Sequence, residues 1–264
     1  MVTLFAVLAI ILYAVSAYLQ FSAIHHPMPS TRKRVLTMGS LAVLLHGLAW
    51  FVPVFSKGLV LSFLPMASLI AFVISALIVM SALRKPLEAL FLGVFPMSAV
   101  IMLANLGLNL DTQPKVLNEH GLVSHILLSI MAYSVLSIAA VQAILLIIQD
   151  RELKHKHMSG IIRVLPPLQT MDRLLFEMIG IGTLLLSLAI LSGFVFLDDL
   201  FAQHLAHKTV FTLLAWLVYT ALLLGHWRFG WRGNVASKWT LVGTALLVLA
   251  YFGSKLVLEI ILKG

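Results

Sequence analysis

Eight apolar stretches, each close to twenty residues long, fill most of this 264-residue chain. The hydrocarbon core of a bilayer is about 30 Å thick and a helix rises about 1.5 Å per residue, so each stretch is long enough to cross it. Inside that core a backbone segment must satisfy its own hydrogen bonds, and single apolar stretches of this length do so as helices. The pattern predicts an all-α fold: a polytopic membrane helix bundle with eight transmembrane helices near residues 2–24, 35–55, 59–83, 87–108, 123–148, 174–197, 208–225 and 239–260.

Orientation follows from Lys and Arg, which hold short loops on the cytoplasmic side. Most of the 18 basic residues fall in every second gap, in clusters such as Arg32, Lys33 and Arg34, or Arg228, Arg232 and Lys238. The opposite gaps and the chain ends carry only Lys57, Lys115, Lys208 and Lys263, beside the acids Asp111, Glu119, Asp198 and Asp199. An even number of spans with the basic gaps inside puts both termini outside.

A hydrophobic share of 61% and a charged share of 11% leave too little polar surface for a soluble domain, whose charged fraction is about a quarter. The longest gap, 149–173, is too short to fold alone, so residues 1–264 read as a single integral membrane domain. The net charge of +8 is spread over four inner loops rather than one element, which points to anionic lipid and away from nucleic acid. Met1 runs directly into apolar sequence, as in a retained first helix. There is no cysteine, which excludes disulfides, thiolate metal sites and thioether attachment of heme. No serine nucleophile turn, phosphate-cradling glycine loop or metalloprotease motif is present, so the chain reads as non-enzymatic.

Ten histidines remain to be placed. His25, His26, His155, His157 and His226 belong to the basic gaps or their edges, where solvated roles suffice. His46, in LLHGLAWFVP, lies inside the second span with Trp50 one turn away and Gly47 leaving room beside it. A neutral imidazole there needs a metal or a hydrogen-bond partner on a neighbouring helix, and the sequence leaves both open. His120, His125, His204 and His207 lie at the outer ends of the fifth and seventh spans. His125, Ser129 and Tyr133 follow at i, i+4 and i+8 as one stripe, which suits either a cofactor or a polar packing seam. In the last span Lys255 and Glu259 are one turn apart, an intramembrane pair in which each offsets the burial cost of the other. Gly180, Gly182 and Gly193 suit the sixth span to close packing, and Pro96 falls within the fourth.

Three segments carry a family resemblance. HILLSIMAYSVLSIAAVQAILLIIQDRELK, residues 125–154, resembles the start of the conserved core of the cytochrome c assembly (heme-handling) membrane proteins. HKTVFTLLAWLVYTALLLGHWRFGWRG, residues 207–233, resembles the helix after their heme-presenting loop, and LAYFGSKLV, residues 249–257, their final helix. Before the seventh span this chain has only FLDDLFAQHLAH, without the family's tryptophan-rich loop. It therefore resembles the short eight-helix HemX/YpjD-like inner-membrane branch. The resemblance implies a bacterial inner-membrane protein that binds, handles or senses heme, with His46 and His125 facing one another as axial ligands, His207 as an outer candidate and Lys208 near the propionates. The alternative is an accessory or regulatory subunit of a membrane transporter or other membrane complex that has lost heme handling. The expected partners are the lipid bilayer, heme and another membrane protein complex.

The distribution of Lys and Arg makes the orientation testable. A reporter fused after Lys156 is expected to be active only in the cytoplasm. Activity of that fusion in the periplasm would reverse every span.

Overall fold

A computed structural model describes residues 2–25, 31–57, 62–84, 87–108, 120–154, 165–196 and 206–253. The described residues form eight α-helices and no strand. They are α1 (Val2–His25), α2 (Thr31–Lys57), α3 (Phe63–Ala82), α4 (Phe91–Gly107), α5 (His120–Lys154), α6 (Leu168–Phe196), α7 (Ala206–Phe229) and α8 (Asn234–Val248). A 3-10 turn, Glu88–Leu90, leads into α4, and a π-helical turn, Leu249–Gly253, continues α8. Seven of the helices are long and apolar enough to cross a membrane; the eighth is α8, apolar to the end of its π-helical turn. Lys255, Glu259 and His204 lie outside the described residues.

The helices outrun the apolar stretches where water takes over. α5 extends to Lys154, whose ammonium donates to Asp150 at 2.7 Å one turn back, a pairing that supports a helix projecting into solvent. α6 begins at Leu168, several residues before its apolar run, directly after Pro166 and Pro167. Proline is well tolerated where a helix starts, and Arg173 pairs with Glu177 at 3.0 Å on the first exposed turns.

Packing groups the helices into two compact units, α1–α4 and α5–α8. In the first unit α1 and α3 each pack on both α2 and α4. In the second, α5 and α7 each pack on both α6 and α8. Each unit is thus a ring of four consecutive helices. Small residues admit aromatic rings inside both units: a Cβ on Gly39 would run into the Phe95 ring of α4, and one on Gly243 into the Tyr219 ring of α7. At the basic end of the first unit, Arg32 pairs with Glu88 and donates from Nη2 to the Ala82 carbonyl at 3.0 Å. That places a cation on a terminal carbonyl of α3, where the helix dipole is negative.

The glycines of α6 divide in role. A Cβ on Gly182 would collide with the fully buried Leu136 of α5, whereas one on Gly180 would meet nothing within 4 Å. Gly182→Ala is therefore expected to lower the melting temperature in detergent, with an overpacking cost of about 1–3 kcal/mol. Gly180→Ala should leave it unchanged or raise it, since Ala is favoured over Gly in a helix by about 1 kcal/mol. Equal melting temperatures for the two variants would show that the α5–α6 contact yields without cost.

Candidate functional site

The first unit centres on His46, which is 1% exposed. Its Nδ1 is 3.2 Å from the Tyr13 hydroxyl on α1 and its Nε2 3.0 Å from Ser68 Oγ on α3. In a neutral imidazole one nitrogen donates and the other accepts, and hydroxyls on both sides serve either tautomer. The edges of the Tyr13 and Phe72 rings enclose it, 5.8 and 5.6 Å away between centroids. Gly47 admits Phe72, since a Cβ there would approach that ring to 3.0 Å. The room beside Gly47 is thus filled by this chain's own phenylalanine. Nearby, Ser75 and Ser98 join α3 to α4 at 3.0 Å. Trp50 donates from Nε1 to the Pro65 carbonyl at 3.2 Å, tying α2 to the start of α3.

In the second unit, the half-buried His125 places Nδ1 3.0 Å from the Ala189 carbonyl and 3.1 Å from Ser192 Oγ, both on α6. A carbonyl can only accept, so Nδ1 carries the proton and the Nε2 lone pair is left available. No bond to Nε2 is present among the described residues. His207, the second residue of α7, has a buried Nε2 with no hydrogen-bond partner among the described residues. α5 and α7 both enter the ring from the end at which α6 finishes, so His125 and His207 belong to the same end of this unit. His46 and His125 belong to different units, and each is bonded within its own.

The stripe at 125, 129 and 133 does not serve one neighbour. Eight residues at about 100° each overshoot two turns by about 80°. Accordingly, His125 meets α6 while Tyr133 turns to α8, donating to the Leu247 carbonyl at 2.7 Å. That carbonyl lies just before the π-helical turn, and the Tyr251 ring within the turn meets Tyr133 edge-on at 5.6 Å. A hydroxyl that draws off a helical carbonyl is a local cause for such widening.

Sequence reasoning missed several partners. Tyr219 bonds Thr244 Oγ1 at 2.8 Å, and Trp216 donates to Ser187 Oγ at 2.8 Å. Tyr13, Ser68 and Ser192 lacked a signal because a single Ser or Tyr in a span is ordinary. What marks them is the histidine on the next helix.

A family model for cytochrome C assembly protein matches residues 35–262. The chain belongs to the cytochrome c assembly protein family. The match reaches back into α2, beyond the three segments that carry the resemblance. Inner membrane protein YpjD of Escherichia coli (strain K12) is 30% identical across 97% of this chain and 98% of its own length. Cytochrome c biogenesis protein CcsA of Chlamydomonas reinhardtii is 27% identical over 54% of this chain and 40% of its own. Protein HemX of Brevibacillus brevis is 26% identical over 54% of each. No solved structure matches the chain. As a member of this family with seven long apolar helices besides α8, the chain is a multi-pass inner-membrane protein.

The bonding of His46 makes Tyr13→Phe informative. It removes the partner of a buried ring nitrogen, and an unsatisfied buried polar group costs about 1–3 kcal/mol. The expected outcome is a lower melting temperature in detergent with helix content unchanged. A melting temperature equal to that of the wild type would mean that Nδ1 finds another partner.

Proposed function

We propose that this chain is a non-enzymatic heme-handling protein of the inner membrane and that its heme site lies at the outer end of the α5–α8 unit, with His125 and His207 as the imidazole donors. The observation that carries the reading is the pair of unengaged ring nitrogens. His125 has its proton fixed on Nδ1 by a backbone carbonyl, the arrangement that orients imidazole ligands in metal sites, and His207 has a buried nitrogen without a partner among the described residues. Heme supplies an iron that takes imidazole lone pairs and propionates that favour cations. Lys208, next to His207, brings a cation to the same turn. His46 does not fit a ligand role, because both its nitrogens are engaged inside the first unit. Its role in this reading is to hold α1, α2 and α3 together. The relatives point the same way: CcsA of Chlamydomonas reinhardtii is a cytochrome c biogenesis protein by name.

One observation favours a second reading. The segment before α7 contains no tryptophan, so it lacks the flat aromatic surface that the resemblance associates with heme presentation. An accessory or regulatory subunit of a membrane transporter or other complex needs no such surface.

The absorption spectrum of detergent-purified protein after heme supplementation separates the two. The expected result is a Soret band that weakens in His125→Ala and in His207→Ala and persists in His46→Ala. A band lost only in His46→Ala would overturn the assignment of ligands. No band in the wild type, together with a co-purifying membrane complex, would select the accessory reading.

A further inference from the structure

At the opposite, basic end of the second unit, α6 and α7 enclose a groove of about 600 Å³, within the size range of ligand sites. Its walls are fixed by bonds of this chain. Asp172 Oδ1 accepts the Gly233 backbone N–H at 2.8 Å, and His226 donates from Nδ1 to the Trp231 carbonyl at 2.8 Å. The His226 ring stacks on Phe176 with centroids 3.6 Å apart. Gly230 and Gly233 take φ of +65° and +61°, a region that favours glycine, so the turn that presents Trp231 and Arg232 has a set shape.

The lining changes character along its length. At the mouth are Arg173 and Arg232; further along α6 lies Gly180, where open space replaces a side chain. Seven residues of helix separate Arg173 from Gly180, or about 10 Å. The two carboxylates at the mouth are occupied: Asp172 holds the Gly233 amide and Glu177 pairs with Arg173. Arg232 is exposed and makes no ion pair among the described residues, with Arg228 and Lys238 close by in sequence. Trp227, 75% exposed, lines the groove, and Phe229 is 78% exposed beside it. Exposed aromatic rings of this kind sit at the level of lipid headgroups.

We propose that this groove binds an anionic glycerophospholipid, with its phosphate at Arg232 and an acyl chain laid along α6 past Gly180. A surplus cation at the mouth, an apolar slot behind it and an aromatic collar at headgroup depth match the three parts of such a molecule. Basic pockets between membrane helices are suited to acidic headgroups.

The test is the melting temperature of the full-length protein in neutral detergent, titrated with phosphatidylglycerol, with phosphatidylcholine or with sodium phosphate. Phosphatidylglycerol is expected to raise it, and the other two are not. Arg232→Gln should require about fivefold more phosphatidylglycerol for the same rise, the equivalent of the roughly 1 kcal/mol that a basic residue contributes at an anionic surface. Gly180→Leu, which fills the slot, should also blunt the rise, while Arg151→Gln, at an exposed position on α5, should not. Equal effects of phosphatidylcholine and phosphatidylglycerol, an equal effect of free phosphate, or an unchanged titration in both Arg232→Gln and Gly180→Leu would overturn the proposal.

Discussion

A polar side chain inside a bilayer has no water to fall back on, and the internal architecture of both units follows from where each such group finds its partner. His46 reaches α1 and α3 at once; Ser75 and Ser98 tie α3 to α4. In the second unit His125 reaches α6, Tyr133 reaches α8, Tyr219 reaches α8 from α7, and Trp216 reaches α6. Each bond joins neighbours in a ring of four helices. Lipid tails are as apolar as leucine, so burial alone does not tell one helix which other to choose. Directional bonds and glycine-made contacts do, and they recur on every side of the α5–α8 ring. His207 Nε2 is the one ring nitrogen among the buried, unpartnered side-chain atoms of the described residues, whereas both nitrogens of His46 are engaged.

Helix number and approximate position were legible because hydropathy reports length against a fixed slab thickness. The ends were less so: α5 and α6 continue into charged sequence that an apolar count discards, although Asp150 with Lys154 and Arg173 with Glu177 are helix-supporting pairs readable at i, i+4. The division into two units was not legible, since hydropathy measures how long each helix is and not which helices pack together. His46 within a span and His125 and His207 at outer ends of spans were all candidate ligands in the sequence. What separates them is the chemistry of the atoms across the gap: two hydroxyls for the first, a carbonyl beside a hydroxyl for the second, and no hydrogen-bond partner among the described residues for Nε2 of the third. Those atoms come from other helices, so no spacing within one helix encodes them.

α6 links the two proposed sites of the second unit. Near its end, the Ala189 carbonyl and Ser192 hydroxyl set the tautomer of His125; near its start, Asp172 and Arg173 frame the basic groove. Between them Gly182 lies against α5, while Gly180, only two residues away, opens away from any neighbour. Two positions two residues apart point about 160° from each other around a helix axis, so one face of α6 can be locked to α5 while the nearly opposite face stays open to an acyl chain. Filling the open face leaves the α5–α6 contact intact, and with it the carbonyl that orients His125. A loss at one end therefore does not require a loss at the other, so the proposed lipid groove and the proposed heme site are separable by substitution in the same protein.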